Sequence, residues 1–178
     1  RGAFERTGNL TQGAGGGTNR GEVLVSQGRL EEAEPILRDA VRILGPANAL
    51  DELIFAGIQQ ARCDLARGDA AAAVAALGPV MEQALSFRLR HLAVEASIHL
   101  GSAHVRSGDP AGAREALSRA EAAAGDLVVH YQAPMMRVRA EVAVAQDRLD
   151  DAVSFATAGL EAARAEGIEC ATEAAGRH

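Results

Sequence analysis

The chain has 178 residues, 48% of them apolar and 24% charged, with a net charge of −6. This balance is that of a globular chain, not a disordered one, and the interspersed signs argue against the basic face of a nucleic-acid-binding domain. No apolar run reaches the ~18 residues that cross a bilayer, so neither a nucleic acid nor a membrane is expected as a partner of this segment.

The apolar share is mostly Ala and Leu, with four Phe, one Tyr and no Trp. Ala, Leu, Glu and Arg lose little rotamer freedom in a helix, so the chain is expected to be all-α. In chain order, residues 1–6 read as the end of one helix. Helix pairs follow at about 10–27 with 30–44, 50–67 with 70–86, 89–107 with 110–124, and 131–146 with 149–166, and a further helix begins at 168–175. The opening Arg1 and the helix end behind it suggest a segment of a longer protein, with 1–178 forming one repeat domain.

The pairs repeat. Their internal turns are Gln27-Gly28-Arg29-Leu30, Arg67-Gly68-Asp69-Ala70, Ser107-Gly108-Asp109-Pro110 and Gln146-Asp147-Arg148-Leu149. The step from Gly28 to Gly68 is 40, from Gly68 to Gly108 is 40, and from Gly108 to Asp147 is 39. Gly tolerates the left-handed conformation that ends a helix, Asp69 and Asp109 can cap the helix that follows, and Pro110 suits a first turn that needs no N–H. Four repeats result, at about 10–46, 50–87, 89–125 and 131–166.

Two places strain this pattern. Gly13, Gly15, Gly16 and Gly17 crowd the first helix, and each costs about 0.5–1 kcal/mol against Ala, so fraying or a break is expected there. Pro79 falls inside a second helix and should bend it.

The period and its columns resemble the tetratricopeptide repeat. The motif's eighth position, small in the family, holds Gly21, Ala61, Gly101 and Ala140, and its twentieth holds Ala33, Ala73, Ala113 and Ala152. The period near 40 departs from the family's 34, and its fourth position, often Trp, holds Gly17, Gly57, Ser97 and Met136. The resemblance implies a right-handed superhelix of antiparallel helix hairpins, an α-solenoid. Phrases such as Gln27-Gly28-Arg29-Leu30-Glu31-Glu32-Ala33 look like the repeats C-terminal in bacterial multidomain class III adenylate/guanylate cyclases and in MalT- or LuxR-type ATPase regulators. That likeness implies a cytoplasmic, protein-binding or regulatory module, or alternatively a domain sensing a small-molecule effector for an attached enzyme or regulator.

By the family's pattern the first helices line a concave groove. Its residues here would be Glu22, Ile58, Arg62, Ile98, Ser102, Arg106, Arg137 and Glu141. Such a groove suits a protein or peptide partner, and its arginines could grip a carboxylate. End repeats that lack polar caps could also self-associate.

Other chemistry is weakly signalled. The run Gly13-Ala14-Gly15-Gly16-Gly17-Thr18 lacks the Lys of a phosphate loop and follows no strand. His91, Glu95 and His99 share a helical spacing that could bind zinc, but no further ligand is near in sequence, so no metal or other cofactor is expected. Cys63 and Cys170 form no CxxC motif, and Cys63 reads as a core residue. No catalytic residue is assigned, and the chain is not expected to be an enzyme.

Overall fold

The computed structural model describes residues 2–47 and 49–165, with side chains from Thr11 onward. Eight α-helices run through these residues: α1 (Gly2–Ser26), α2 (Leu30–Ala47), α3 (Leu50–Arg67), α4 (Ala70–Ser86), α5 (Arg90–Arg106), α6 (Pro110–Ala124), α7 (Val128–Ala145) and α8 (Leu149–Ala165). A 3-10 turn, Gly125–Leu127, joins α6 to α7, and no strand occurs among the described residues. The expected helix at 168–175 lies outside them.

Each hairpin closes through the same chemistry. Gly28, Gly68 and Gly108 have φ of 72°, 88° and 80°, and Asp147 takes the same left-handed conformation at 57°. At every turn two N–H groups reach back to the carbonyls that the helix end leaves free. Gly68 N donates to Leu65 O at 3.0 Å and Asp69 N to Asp64 O at 3.0 Å, and the pattern recurs at Gly28/Arg29, Gly108/Asp109 and Asp147/Arg148. This double bond pattern is the Schellman motif. Asp69 and Asp109 then cap α4 and α6, accepting from Ala72 N at 3.0 Å and Gly112 N at 2.9 Å.

The helices stack in order. α1 packs on α2, α3 on α4, α5 on α6 and α7 on α8, and each hairpin packs on the next. The first helices also touch one another in sequence, α1 with α3, α3 with α5 and α5 with α7. They form the inner, concave row, and the second helices stand outside it. The architecture is a tetratricopeptide-like α-solenoid.

Small residues decide how closely the helices approach. Ala33, Ala73 and Ala113 have no exposed surface. A Cβ on Gly21 would stand 2.4 Å from Leu37 Cδ2, and one on Gly101 would stand 3.0 Å from Val138 Cγ1. Leu37 and Leu77 fill the space beside these columns and are wholly buried.

Three expectations are corrected. Residues 2–6 do not end a separate helix; α1 runs unbroken from Gly2 to Ser26, through all four crowded glycines. Ala14 is 6% exposed and packs with Ala40, Leu44 and Ala56, and Thr18 is 1% exposed. Helical stability here comes from tertiary packing, which overrides local propensity. α7 also begins at Val128, earlier than the expected 131, because Gly125–Leu127 turns the chain without a gap. Arg90 donates to Ala123 O at 3.1 Å and pairs with Asp126 at 2.6 Å, tying that link to α5. α4 continues through Pro79, which lies on its exposed side.

The glycines of α1 are therefore of two kinds. Gly13 and Gly16 have nothing within 4 Å of an added Cβ. Gly13→Ala or Gly16→Ala is expected to stabilise by about 0.5–1 kcal/mol through propensity. Gly21→Ala is expected to destabilise by about 1–3 kcal/mol, the range for overpacking, because Leu37 has no free space to move into. Urea midpoints of the three variants check the difference in sign.

Candidate functional site

The concave face is built by the inner helices at residues two turns or fewer from their closing ends. Glu22 comes from α1, Arg62 from α3, Ser102 and Arg106 from α5, and Arg137 and Glu141 from α7. The structure brings these six together. Arg62 Nη1 lies 3.4 Å from Glu22 Oε1. Arg137 Nη1 donates to Ser102 Oγ at 3.2 Å and pairs with Glu141 Oε1 one helical turn on. Arg106 Nη1 reaches across to α3 and donates to Leu65 O at 3.0 Å.

Ile58 and Ile98 do not join them. They are 0% and 3% exposed and belong to the core between hairpins. Their helices are rotated so that this register position faces the neighbouring inner helix, and Thr18 at the same register is buried too. The two isoleucines expected in the groove are thus consumed by packing between repeats, while Val25, Leu65 and Ala66 still line the face beside the arginines.

Three residues outside the expected set complete the site. Gln59 is fully buried, accepts from Arg62 Nη1 at 2.6 Å and donates from Nε2 to Glu95 Oε1 at 3.3 Å. Glu95 is raised above the ordinary carboxylate range, chiefly by burial, which the Arg62 charge and the Gln59 hydrogen bond only partly offset. His99 stands between Arg62 and Arg137. The signal for these residues was present in the sequence: Gln59 and His99 are 40 apart, one residue after the buried Ile58 and Ile98. His91 shares the helical spacing of Glu95 and His99, but it is exposed in the first turn of α5, near Asp51, and does not join them.

A cavity of about 190 Å³ opens on this face, lined by Val25, Arg62, Leu65, Ala66, His99, Ser102, Arg106 and Arg137. Glu141 does not line it. Its Oε2 is buried and has no hydrogen-bond partner among the described residues, while Oε1 holds Arg137. Among the described residues no three His, Cys, Asp or Glu side chains cluster to hold a metal ion. Cys63 is 1% exposed, its Sγ 3.9 Å from Leu30 O, and burial pushes its thiol up.

The tetratricopeptide repeat family profile matches two stretches, residues 14–39 and 94–119. They cover the second half of α1 with the first half of α2, and most of α5 with most of α6, each around one Schellman turn. The chain carries tetratricopeptide-like repeats. Among curated proteins, none matches the chain. In these repeats the small columns at Gly21 and Gly101 and at Ala33 and Ala113 fall within the matched stretches, whereas the charged residues of α3 and α7 do not. No helix among the described residues is long and apolar enough to cross a membrane.

His99 makes the site acid-sensitive. Burial, reinforced by the Arg62 and Arg137 charges, pushes its imidazole from 6.5 down to about 3. Below pH 6.5 the unfolded chain takes up a proton that the folded chain refuses. The stability tied to neutral His99 is therefore present above pH 6.5 and is lost as pH falls toward 3, at up to ~1.4 kcal/mol per unit. The raised Glu95 works in the opposite sense and cancels when variants are compared. His99→Gln is expected to lose about 1–2 kcal/mol less stability than the parent between pH 6.5 and 5. Urea titrations at both pH values check this, and parallel losses would remove His99 as the cause.

Proposed function

We propose that this chain is a protein–protein interaction or regulatory scaffold module of a larger bacterial signalling or transcription-regulating protein, working in the cytoplasm and without catalytic activity of its own. Helical-repeat proteins generally present extended surfaces to partners. The observation that carries the reading is the convergence of Glu22, Arg62, Ser102, Arg106, Arg137 and Glu141, from four inner helices, on one concave face. With Ile58 and Ile98 withdrawn into the core, the arginines and glutamates are what this face offers a partner for charge reading. Arginine forks favour planar or multi-oxygen anions, so an acidic peptide segment suits the face better than an apolar helix.

The reading is tested with the chain immobilised and exposed to lysate of its source cells, with crosslinking and mass spectrometry. Arg62→Gln combined with Arg137→Gln should reduce capture of the specific partners at least tenfold, with the helical circular dichroism unchanged. If the double variant captures the same partners equally well, the concave face is not the binding surface.

A second reading, effector sensing, is favoured by a larger cleft of about 530 Å³ between α4, α5 and α6. Met81 and Leu100 supply apolar walls there, and Glu82, Glu115 and Arg119 supply charge. A thermal-shift screen separates the two readings, since a ligand at 100 times its Kd stabilises a fold by about 2.7 kcal/mol. Self-association is supported by Val144, Leu149 and Val153, which are 57%, 60% and 67% exposed around the α7–α8 turn. Light scattering over a concentration series tests it, and a constant monomer mass would rule it out.

A further inference from the structure

We propose that the cavity between α3, α5 and α7 is a receptor for a phosphomonoester group. The proposal deepens the interaction reading and rests on it only where the phosphoryl group is carried by a peptide.

The first argument is the polarity of the lining. Every polar side chain on the cavity wall can donate: Arg62, His99, Ser102, Arg106 and Arg137. No carboxylate lines it. The remaining wall is Val25, Leu65 and Ala66, which offer nothing to a cation. A cavity whose polar side chains are all able to donate favours an acceptor-rich guest.

The second argument is charge. Arg137 is neutralised by its close partner Glu141. Arg62 donates to the neutral Gln59 Oε1 at 2.6 Å, lies 3.4 Å from a Glu22 side chain that is 40% exposed, and feels the charge of Glu95. Arg106 gives its one hydrogen bond to a neutral carbonyl, Leu65 O, and forms no ion pair with a described carboxylate. Two guanidinium groups therefore face the cavity, Arg106 without an ion pair to a described carboxylate and Arg62 with partial compensation from Glu22 and Glu95. A phosphomonoester carries about −1.5 to −2 near neutral pH and three acceptor oxygens. A carboxylate, with one charge and two oxygens, would leave one guanidinium and the neutral donors unmatched.

The third argument comes from the uncharged groups. His99 is half-buried, forms no hydrogen bond with any described residue, and opens one edge onto the cavity. Its unpartnered ring edge is therefore a place where a guest can supply a hydrogen bond. Ser102, 3% exposed, accepts from Arg137 and has its own O–H left to give. The two neutral donors sit on the same helix face one turn apart, as their spacing of three requires. At about 190 Å³ the cavity is small and open on one side, so the phosphoryl group would enter while the group esterified to it stays outside.

The test is a nuclear magnetic resonance and calorimetric titration of the 178-residue chain with phenyl phosphate, phenyl sulfate and benzoate. Phenyl phosphate should bind at least tenfold more tightly than the two monoanions, with the His99 ring signals among those that move most. Arg106→Gln and Arg62→Gln should each weaken it at least tenfold. Arg42→Gln, exposed on α2 and paired with Asp39, should leave it unchanged. Arg106 is exposed, so its variant should retain the parent's circular dichroism and melting.

Equal affinity for the three anions would overturn the proposal, as would an Arg106→Gln variant that binds like the parent, or equal losses in Arg42→Gln. O-phosphoserine and a phosphoserine peptide then separate the sources. Tighter binding of the peptide assigns the group to a protein partner, and equal binding assigns it to a small molecule. Should phenyl phosphate fail to bind while partner capture through the concave face persists, the phosphoryl site is wrong and the interaction reading stands.

Discussion

The close approach of helix pairs across small residues is the constraint on which the rest of the structure depends. Gly21 against Leu37 and Gly101 against Val138 leave no room for a Cβ or barely any. The alanine column at Ala33, Ala73 and Ala113 lies on the facing helices, fully buried. Because the backbones come this close, each hairpin has a fixed face to offer the next, and the inner helices fall into one row. Interiors packed to this density transmit small changes, which is why a single methyl group carries different signs at Gly13 and Gly21.

That same packing shapes the concave face. Inner helices that touch in sequence must bury something between them, and they bury Thr18, Ile58 and Ile98. The next register position, holding Gln59 and His99, is turned toward the concavity but still largely enclosed. Polar groups trapped at that depth are satisfied by one another: Gln59 bridges Arg62 and Glu95, and Ser102 receives Arg137. Burial, reinforced by the nearby charges of Arg62 and Arg137, keeps His99 neutral. The electrostatic character of the face is thus a product of repeat stacking, not of any one helix.

The turns show how much can be read locally. Gly28, Gly68, Gly108 and Asp147 occupy the same left-handed position in four hairpins. The Asp substitution at the fourth is tolerated because a short polar side chain visits this region more readily than most residues. The hydrogen bonds at these turns link residues within one helix end, so sequence neighbours alone specify them. The glycine-rich start is the opposite case. Local propensity argues for a break at Gly13–Gly17, yet Ala14 and Thr18 are held by α2 and α3, and the helix continues. Contacts distant in sequence outweighed the local cost there.

Helix content, the forty-residue period, the hairpin turns and the small columns were all determined by the sequence by itself, because each depends on residues within a few turns of one another or on a repeated spacing. The membership of the concave face was decided only by the tertiary structure. Glu22, Arg62, Ser102, Arg106, Arg137 and Glu141 could be placed on inner helices from their register. Which register positions stay accessible depends on how far each inner helix rotates against the next, and that rotation is set by the fit of side chains from separate repeats. Ile58 and Ile98 went inward for that reason, and Gln59, Glu95 and His99 took their place beside the arginines.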